Sequence, residues 1–240
     1  NQKPAYELSL GLVGSEMCIR DRNNGEVDRF ELDTLSVYAL ASDGQGGVFA
    51  ATGPDGKVFN IDNDGNVRAI FNPNEPYIWS LATDPSGSLY VGTGNPGRVY
   101  RISPTGSDEL FYETRALHVR SLVSTEAGQI LAGTTTPGHV IRIDTDGTGF
   151  VLLDSGYEEV ADLHIAANGI VLVVATNSTT TSTGAAATTT GSTTATSASA
   201  TTTSTAATGT GTKGAVYEIY PDGVWNLVWD SDTDAPYDVV

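Results

Sequence analysis

The chain has 240 residues, with 12 Lys+Arg against 29 Asp+Glu and a formal net charge of -17. Such an acid excess repels phosphate and excludes unaided binding to nucleic acid or to an anionic membrane surface. The single cysteine, Cys18, rules out an intrachain disulfide or a Cys-rich metal site, and the longest aliphatic run, Ile170 to Ala175, is too short to span a bilayer.

In chain order, the first segment reads unlike the rest. Residues 12–22, LVGSEMCIRDR, resemble a translated transposase-type sequencing adapter, and residues 1–7, NQKPAYE, resemble one frame of its flanking primer. The resemblance implies that residues 1–22 are an adapter-derived artefact and not a domain. These residues balance Lys3, Arg20 and Arg22 against Glu7, Glu16 and Asp21, so the charge of -17 belongs to the remainder. Cys18 and Met17 fall inside the segment. A start without Met and a stop at Val240 within an apolar run read as a fragment of a longer frame of metagenomic type.

From residue 23 the chain is periodic. Val37-Tyr38-Ala39-Leu40, Ile78-Trp79-Ser80-Leu81, Val119-Arg120-Ser121-Leu122 and Val160-Ala161-Asp162-Leu163 recur every 41 residues. Gly46, Gly87, Gly128 and Gly169 keep the same register, as do Val58, Val99 and Val140, and Ile61, Ile102 and Ile143. Within one unit, β-branched and aromatic runs alternate with Gly, Pro, Asn and Asp, which predicts four short strands. In the second unit they are Ile78–Thr83, Ser88–Thr93, Arg98–Ser103 and Glu109–Tyr112. No window has the period of a useful amphipathic helix. Four antiparallel strands in about 40 residues is the pattern of a β-propeller blade, whose first strand lines a central channel. The expected fold is therefore all-β, a β-propeller fragment of about four and a half blades. A parallel β-helix fits the hairpin turns poorly.

The fourth unit is interrupted. The pattern stops after Asn177 and resumes at Gly214, an excess of 35 residues over the period. Residues 178–212 hold 17 Thr, 6 Ser, 8 Ala and 4 Gly and nothing else. Without charge or large apolar side chains such a tract cannot offset its ordering entropy, so a disordered insertion within a blade is expected. It reads either as an O-glycosylated or spacer loop or as a tolerated low-complexity expansion. The domain reading is thus residues 23–177 as propeller blades, continued in 213–240. Residues 24–32 resemble the outer strand of a preceding blade, and residues 234–240 the start of a following one.

Two G-x-G-x-x-G matches, at Gly92–Gly97 and Gly209–Gly214, precede strands and not the helix N-terminus that a pyrophosphate needs. Asp62-Asn63-Asp64-Gly65 and Asp144-Thr145-Asp146-Gly147 start like calcium loops but lack the later bidentate Glu, and read as turns. No G-x-S-x-G elbow occurs, and His118, His139 and His164 are the only histidines. Equivalent positions of a propeller converge on the axis or its mouth. The column Ser36, Tyr77, His118, Glu159 and the column Ala39, Ser80, Ser121, Asp162 therefore nominate Tyr77, His118, Glu159 and Asp162 as channel-mouth ligand-binding residues. The alternative is a polar, water-filled channel of varied lining. Trp79 and Arg120 share a third column and are candidates for surface recognition or interblade packing. No catalytic residue is assigned.

From Leu35 to Trp229 the chain resembles bacterial β-propellers of the tryptophan-aspartate-repeat-like or NHL-like kind. The residues that carry this are VGTGNPGRVYRI (91–102), VRSL (119–122) and GAVYEIYPDG (214–223). The Trp-Asp dipeptide of true members is absent. The resemblance implies a non-enzymatic scaffold that binds a protein or glycan on one face, with no cofactor. It also allows a six-bladed, metal-dependent lactonase or hydrolase of the gluconolactonase type, for which a divalent metal would be required. Acidity, the lack of cysteine after residue 22 and the Ser/Thr tract point to an exported protein.

Overall fold

The computed structural model describes residues 16–20, 27–32, 34–177 and 214–239. The insertion at 178–212, and residues 1–15 and 21–22 of the first segment, lie outside the described residues. Every regular element described is a strand. β1 (Glu16–Arg20), from the segment read as adapter, pairs antiparallel with β2 (Val27–Glu31). Four antiparallel blades follow. They are β3 (Ser36–Ser42), β4 (Val48–Gly53), β5 (Val58–Ile61) and β6 (Val67–Phe71); then β7 (Tyr77–Thr83), β8 (Leu89–Gly94), β9 (Arg98–Ile102) and β10 (Asp108–Glu113). The third is β11 (His118–Ser124), β12 (Ile130–Thr135), β13 (His139–Ile143) and β14 (Gly149–Asp154). The fourth is β15 (Glu159–Ile165), β16 (Val171–Thr176), β17 (Gly214–Ile219) and β18 (Trp225–Ser231). Strand limits in the second blade match the expected ones to within a residue.

The turns between strands are built by short side chains. In Asp62–Gly65 the Gly65 amide donates to the Asp62 carbonyl, and Asp62 Oδ1 accepts the amides of Asp64 and Asn66. Gly65 has φ +84, a left-handed conformation that a Cβ would strain. The motif is a turn, as expected, and so is Asp144–Gly147.

Each blade carries two register shifts at repeating places. On the inner strand the unpaired residue is Tyr38, Trp79, Arg120 and Ala161 in successive blades. On the outer strand it is Ile70, Phe111, Leu152 and Val228. A bulge inserts one residue against the partner strand, bends the chain and re-aims a side chain. The 41-residue period is thus a period of bulges as well as of glycines.

The core lies between blades. One apolar cluster joins Ala51, Val58 and Phe71 to Ile78, Leu81 and Val91. The next joins Tyr90 and Val99 to Val119, Ile130 and Ile141, and a third joins Leu131, Val140 and Leu153 to Val160, Val173 and Tyr217. Burying each such side chain is worth about 1.5–3 kcal/mol. Outer-strand residues are covered by the blade that follows, so Phe71 is 8% and Leu153 2% exposed. Trp229, in the same column, is 40% exposed with no following blade packed on it among the described residues.

The interrupted blade keeps its register. Gly214 takes the place of Gly138. A Cβ on Gly138 would meet the Tyr157 carbonyl oxygen at 2.5 Å, and one on Gly214 would meet the chain at Asp234, Ala235 and Pro236. Elsewhere the hairpin between the second and third strands is tied by a buried threonine. Thr93 Oγ1 donates to Pro96 O and accepts the Arg98 amide, and Thr134 Oγ1 does the same with Pro137 and His139. In the fourth blade this column is Ala175. There the ladder continues through Ala175↔Ala215 and Thr176↔Gly214, so no tight turn remains for a hydroxyl to hold.

One expectation is corrected. Ser80 and Ser121 do not face the axis. Ser80 is buried against Gly92 and donates to the Val119 carbonyl of the next blade at 3.0 Å, and Ser121 is buried against Gly133. The bulge at residues 79 and 120 precedes both serines and sets them into the blade interface.

Candidate functional site

Tyr77, His118 and Glu159 are the first residues of β7, β11 and β15. They are fixed there by the hairpin of the preceding blade: Asn95 N donates to Leu117 O at 2.7 Å, and Thr136 N to Glu158 O at 2.7 Å. Single bridging pairs, His118↔Gly94 and Glu159↔Thr135, continue the hydrogen bonding from blade to blade. The bulged residues Tyr38, Trp79 and Arg120 lie on the same face.

The result is a continuous array across four blades. Tyr77 stacks on Trp79 at 5.2 Å and 16°, and Tyr38 leans on Trp79 at 4.6 Å. His118 meets Trp79 edge-on at 5.6 Å, and the Arg120 guanidinium lies 4.5 Å over the indole. Arg120 Nε in turn donates to Glu159 Oε1 at 2.6 Å. Tyr77, Trp79, His118, Arg120 and Glu159 are all half-buried, each presenting part of its surface to solvent. Such ring pairs are worth about 0.5–1.5 kcal/mol beyond burial, and a partly desolvated cation over an indole a similar amount.

Glycine makes the array possible. A Cβ on Gly94 would stand 2.3 Å from Trp79 Nε1 and 2.4 Å from His118 Nδ1, and one on Gly53 would stand 2.4 Å from the Tyr38 ring. The same column is Thr135 beneath Arg120 and Glu159, where no ring lies over it. Trp79 Nε1 and His118 Nδ1 are buried without a hydrogen-bond partner, both turned toward Gly94. Burial lowers the His118 pKa, and the Arg120 charge lowers it further, so the imidazole is neutral at pH 7.

Asp162 is placed apart from this array. Its Oδ2 accepts the Val239 amide at 3.2 Å. Burial raises its pKa, and the adjacent Asp238 carboxyl adds to the shift. Of the six residues nominated by the sequence, five form one array and Asp162 joins the C-terminal segment instead. Tyr38, Gly53 and Gly94 were not nominated. Their signal was present as covariation within the chain: the column Gly53, Gly94, Thr135 loses its glycine where the column Tyr38, Trp79, Arg120 loses its ring.

No protein-family model matches the chain, and no curated protein matches it in sequence. Among solved structures, virginiamycin B lyase from Staphylococcus aureus superposes with a TM-score of 0.64 at 10% identity, covering 89% of this chain and 62% of that one. The fold is a β-propeller. Regucalcin, a calcium-binding protein from Agrobacterium tumefaciens, gives a TM-score of 0.53 at 18% identity over 67% of this chain and 62% of that one. A protein carrying a provisional gluconolactonase assignment gives 0.50 at 17% identity over 66% and 63%. The chain therefore spans less than two thirds of the length of each of these propellers.

A divalent cation does not fit the array. The guanidinium of Arg120 already holds Glu159, and His118 Nδ1 is turned into the interior toward Gly94. Among the described residues no three His, Cys, Asp or Glu side chains gather as a metal-ligand group. No described helix is long and apolar enough to cross a membrane.

Proposed function

We propose that the chain is a binding module whose ligand, a protein or a glycan, docks on the face where the inner strands begin. The observation that carries this reading is the array of Tyr38, Tyr77, Trp79, Arg120 and Glu159, half-exposed and continuous over four blades. Aromatic rings flanked by a fixed guanidinium offer stacking surface at little entropic cost, since the rings already hold each other in place. Sugar rings and protein side chains both suit such a platform. The array contains no nucleophile held by a base, which favours binding over turnover.

The second reading is a metal-dependent lactonase or hydrolase. It draws on the likeness to regucalcin and to the provisional gluconolactonase, and on Asp162 and Asp238 lying side by side. Against it stands the guanidinium on Glu159.

The test is selection from a glycan array and from a displayed peptide library, repeated with Trp79→Ala and Arg120→Ala. Ligands that the wild-type protein selects and both variants lose support the reading. Ligands bound equally by the variants, or metal-dependent opening of a lactone by the wild-type protein, overturn it.

A further inference from the structure

A second cleft opens at the other ends of the inner strands, between the third and fourth blades. It is bounded by the turns 124–127 and 166–169, which follow β11 and β15, and so lies on the face opposite the aromatic array. Its volume is about 750 Å³, and its floor includes Leu131, Leu152, Ile165 and Val171. The corresponding cleft between the second and third blades measures about 360 Å³.

Two residue changes along the repeat account for the difference. In the second blade Tyr90 is buried edge-on against Phe111 at 5.2 Å, and Arg101 covers Phe111 at 4.9 Å. One period later these positions are Leu131 and Leu152, so two rings are replaced by smaller side chains. A third change concerns charge. Arg101 is held by Glu109, whose equivalent is Phe150. Arg142, the counterpart of Arg101, is ion-paired instead with Asp144, and its guanidinium carbon lies 5.8 Å from the centroid of the Phe150 ring. Its Nε lies 3.2 Å from Asp144 Oδ1 without hydrogen-bond geometry, and the same oxygen accepts a hydrogen bond from Gln129 Nε2 at 2.6 Å.

From this geometry we infer that the cleft is a site for a small apolar molecule bearing an anionic oxygen head group. The apolar body lies on the leucine floor and the head group meets the Nη edge of Arg142. The volume falls within the range of small-ligand pockets, which are largely apolar with a few placed polar groups. Glu126 and Asp222 also line the cleft, but both are exposed at its mouth, where solvent screens them.

The experiment is fluorescence titration of the full chain with anilinonaphthalene sulfonate, an apolar body with a sulfonate head, beside its uncharged analogue N-phenyl-1-naphthylamine. The wild-type protein is expected to show a saturable site that the double variant Leu131→Tyr/Leu152→Phe, which restores the second-blade residues, loses. Arg142→Met is expected to weaken the sulfonate probe about tenfold or more and leave the uncharged probe unchanged. Absence of a saturable site, or unaltered sulfonate binding in Arg142→Met, overturns the inference. Undiminished binding in a refilled variant with wild-type near-ultraviolet circular dichroism also overturns it. If the refilled variant does not fold, the Arg142→Met titrations decide alone. Self-association that refilling abolishes, seen by sedimentation, would assign the cleft to a second copy of the chain and overturn it as well.

Discussion

Gly94→Ala is the sharpest perturbation of the aromatic array. The added Cβ would sit 2.3 Å from Trp79 Nε1 and 2.4 Å from His118 Nδ1. Ordinary contact needs about 3.5 Å, so each ring must retreat by about 1 Å. Neither can do so alone, because Trp79 is pressed by Tyr77 and Arg120, and His118 is bridged to Gly94 itself. Overpacking of this kind costs about 1–3 kcal/mol. For a chain of this size that lowers Tm by about 2–4 °C for each kcal/mol. Thr135→Ala removes atoms at the equivalent position of the third blade and crowds nothing, which makes it the matched control. Thermal unfolding gives the stability, and near-ultraviolet circular dichroism reports the packing of Trp79. An unchanged Tm with an unchanged aromatic spectrum in Gly94→Ala would refute the claim that the rings are held against this glycine.

Thr93→Val and Thr134→Val each remove a hydroxyl that ties a hairpin, and each is expected to cost about 1 kcal/mol in denaturant unfolding, whereas Ala175→Thr gains nothing because no tight turn follows it. The His118 pKa is lowered in the folded state, so below pH 6.5 the unfolded chain binds more protons there, and stability falls as pH drops through that value. His118→Gln should flatten that part of the pH–stability curve. Asp162 has the opposite sign: its folded pKa is raised above 3.8, so its favourable contribution is present at low pH and is lost as pH rises past that value. Asp162→Asn, which still accepts the Val239 amide, should raise Tm at pH 7, with the gain shrinking as pH falls toward 3.8.

The repeat was legible because blade interfaces impose the same demands every 41 residues: Val37, Ile78, Val119 and Val160 are buried in each copy. Glycines at turns carried the same message through backbone conformation, as at Gly65, Gly106 and Gly147. The bulges were not legible, since a period-two pattern does not mark which residue lacks a partner. That is why Ser80 and Ser121 were expected at the axis and are found between blades. Tyr77, His118 and Glu159 could be read as one column, and Trp79 and Arg120 as another. Their union depends on how each blade is rotated against the next, which places Arg120 of one blade on Trp79 of the previous blade and Glu159 of the following one. Asp162 follows the bulged Ala161 as Ser80 follows Trp79, and like Ser80 it bonds to the main chain that comes next, at the Val239 amide.

The central claim is that ligand binds on the array at the beginnings of the inner strands. The chain has three tryptophans, so Trp225→Phe with Trp229→Phe leaves Trp79 as the sole indole. Titrating this variant with the tightest selected glycan or peptide, while following indole emission, reads the array directly. A saturable emission change with the same Kd as a label-free titration is the predicted result. Binding of that ligand at full affinity with no change in Trp79 emission would contradict the account.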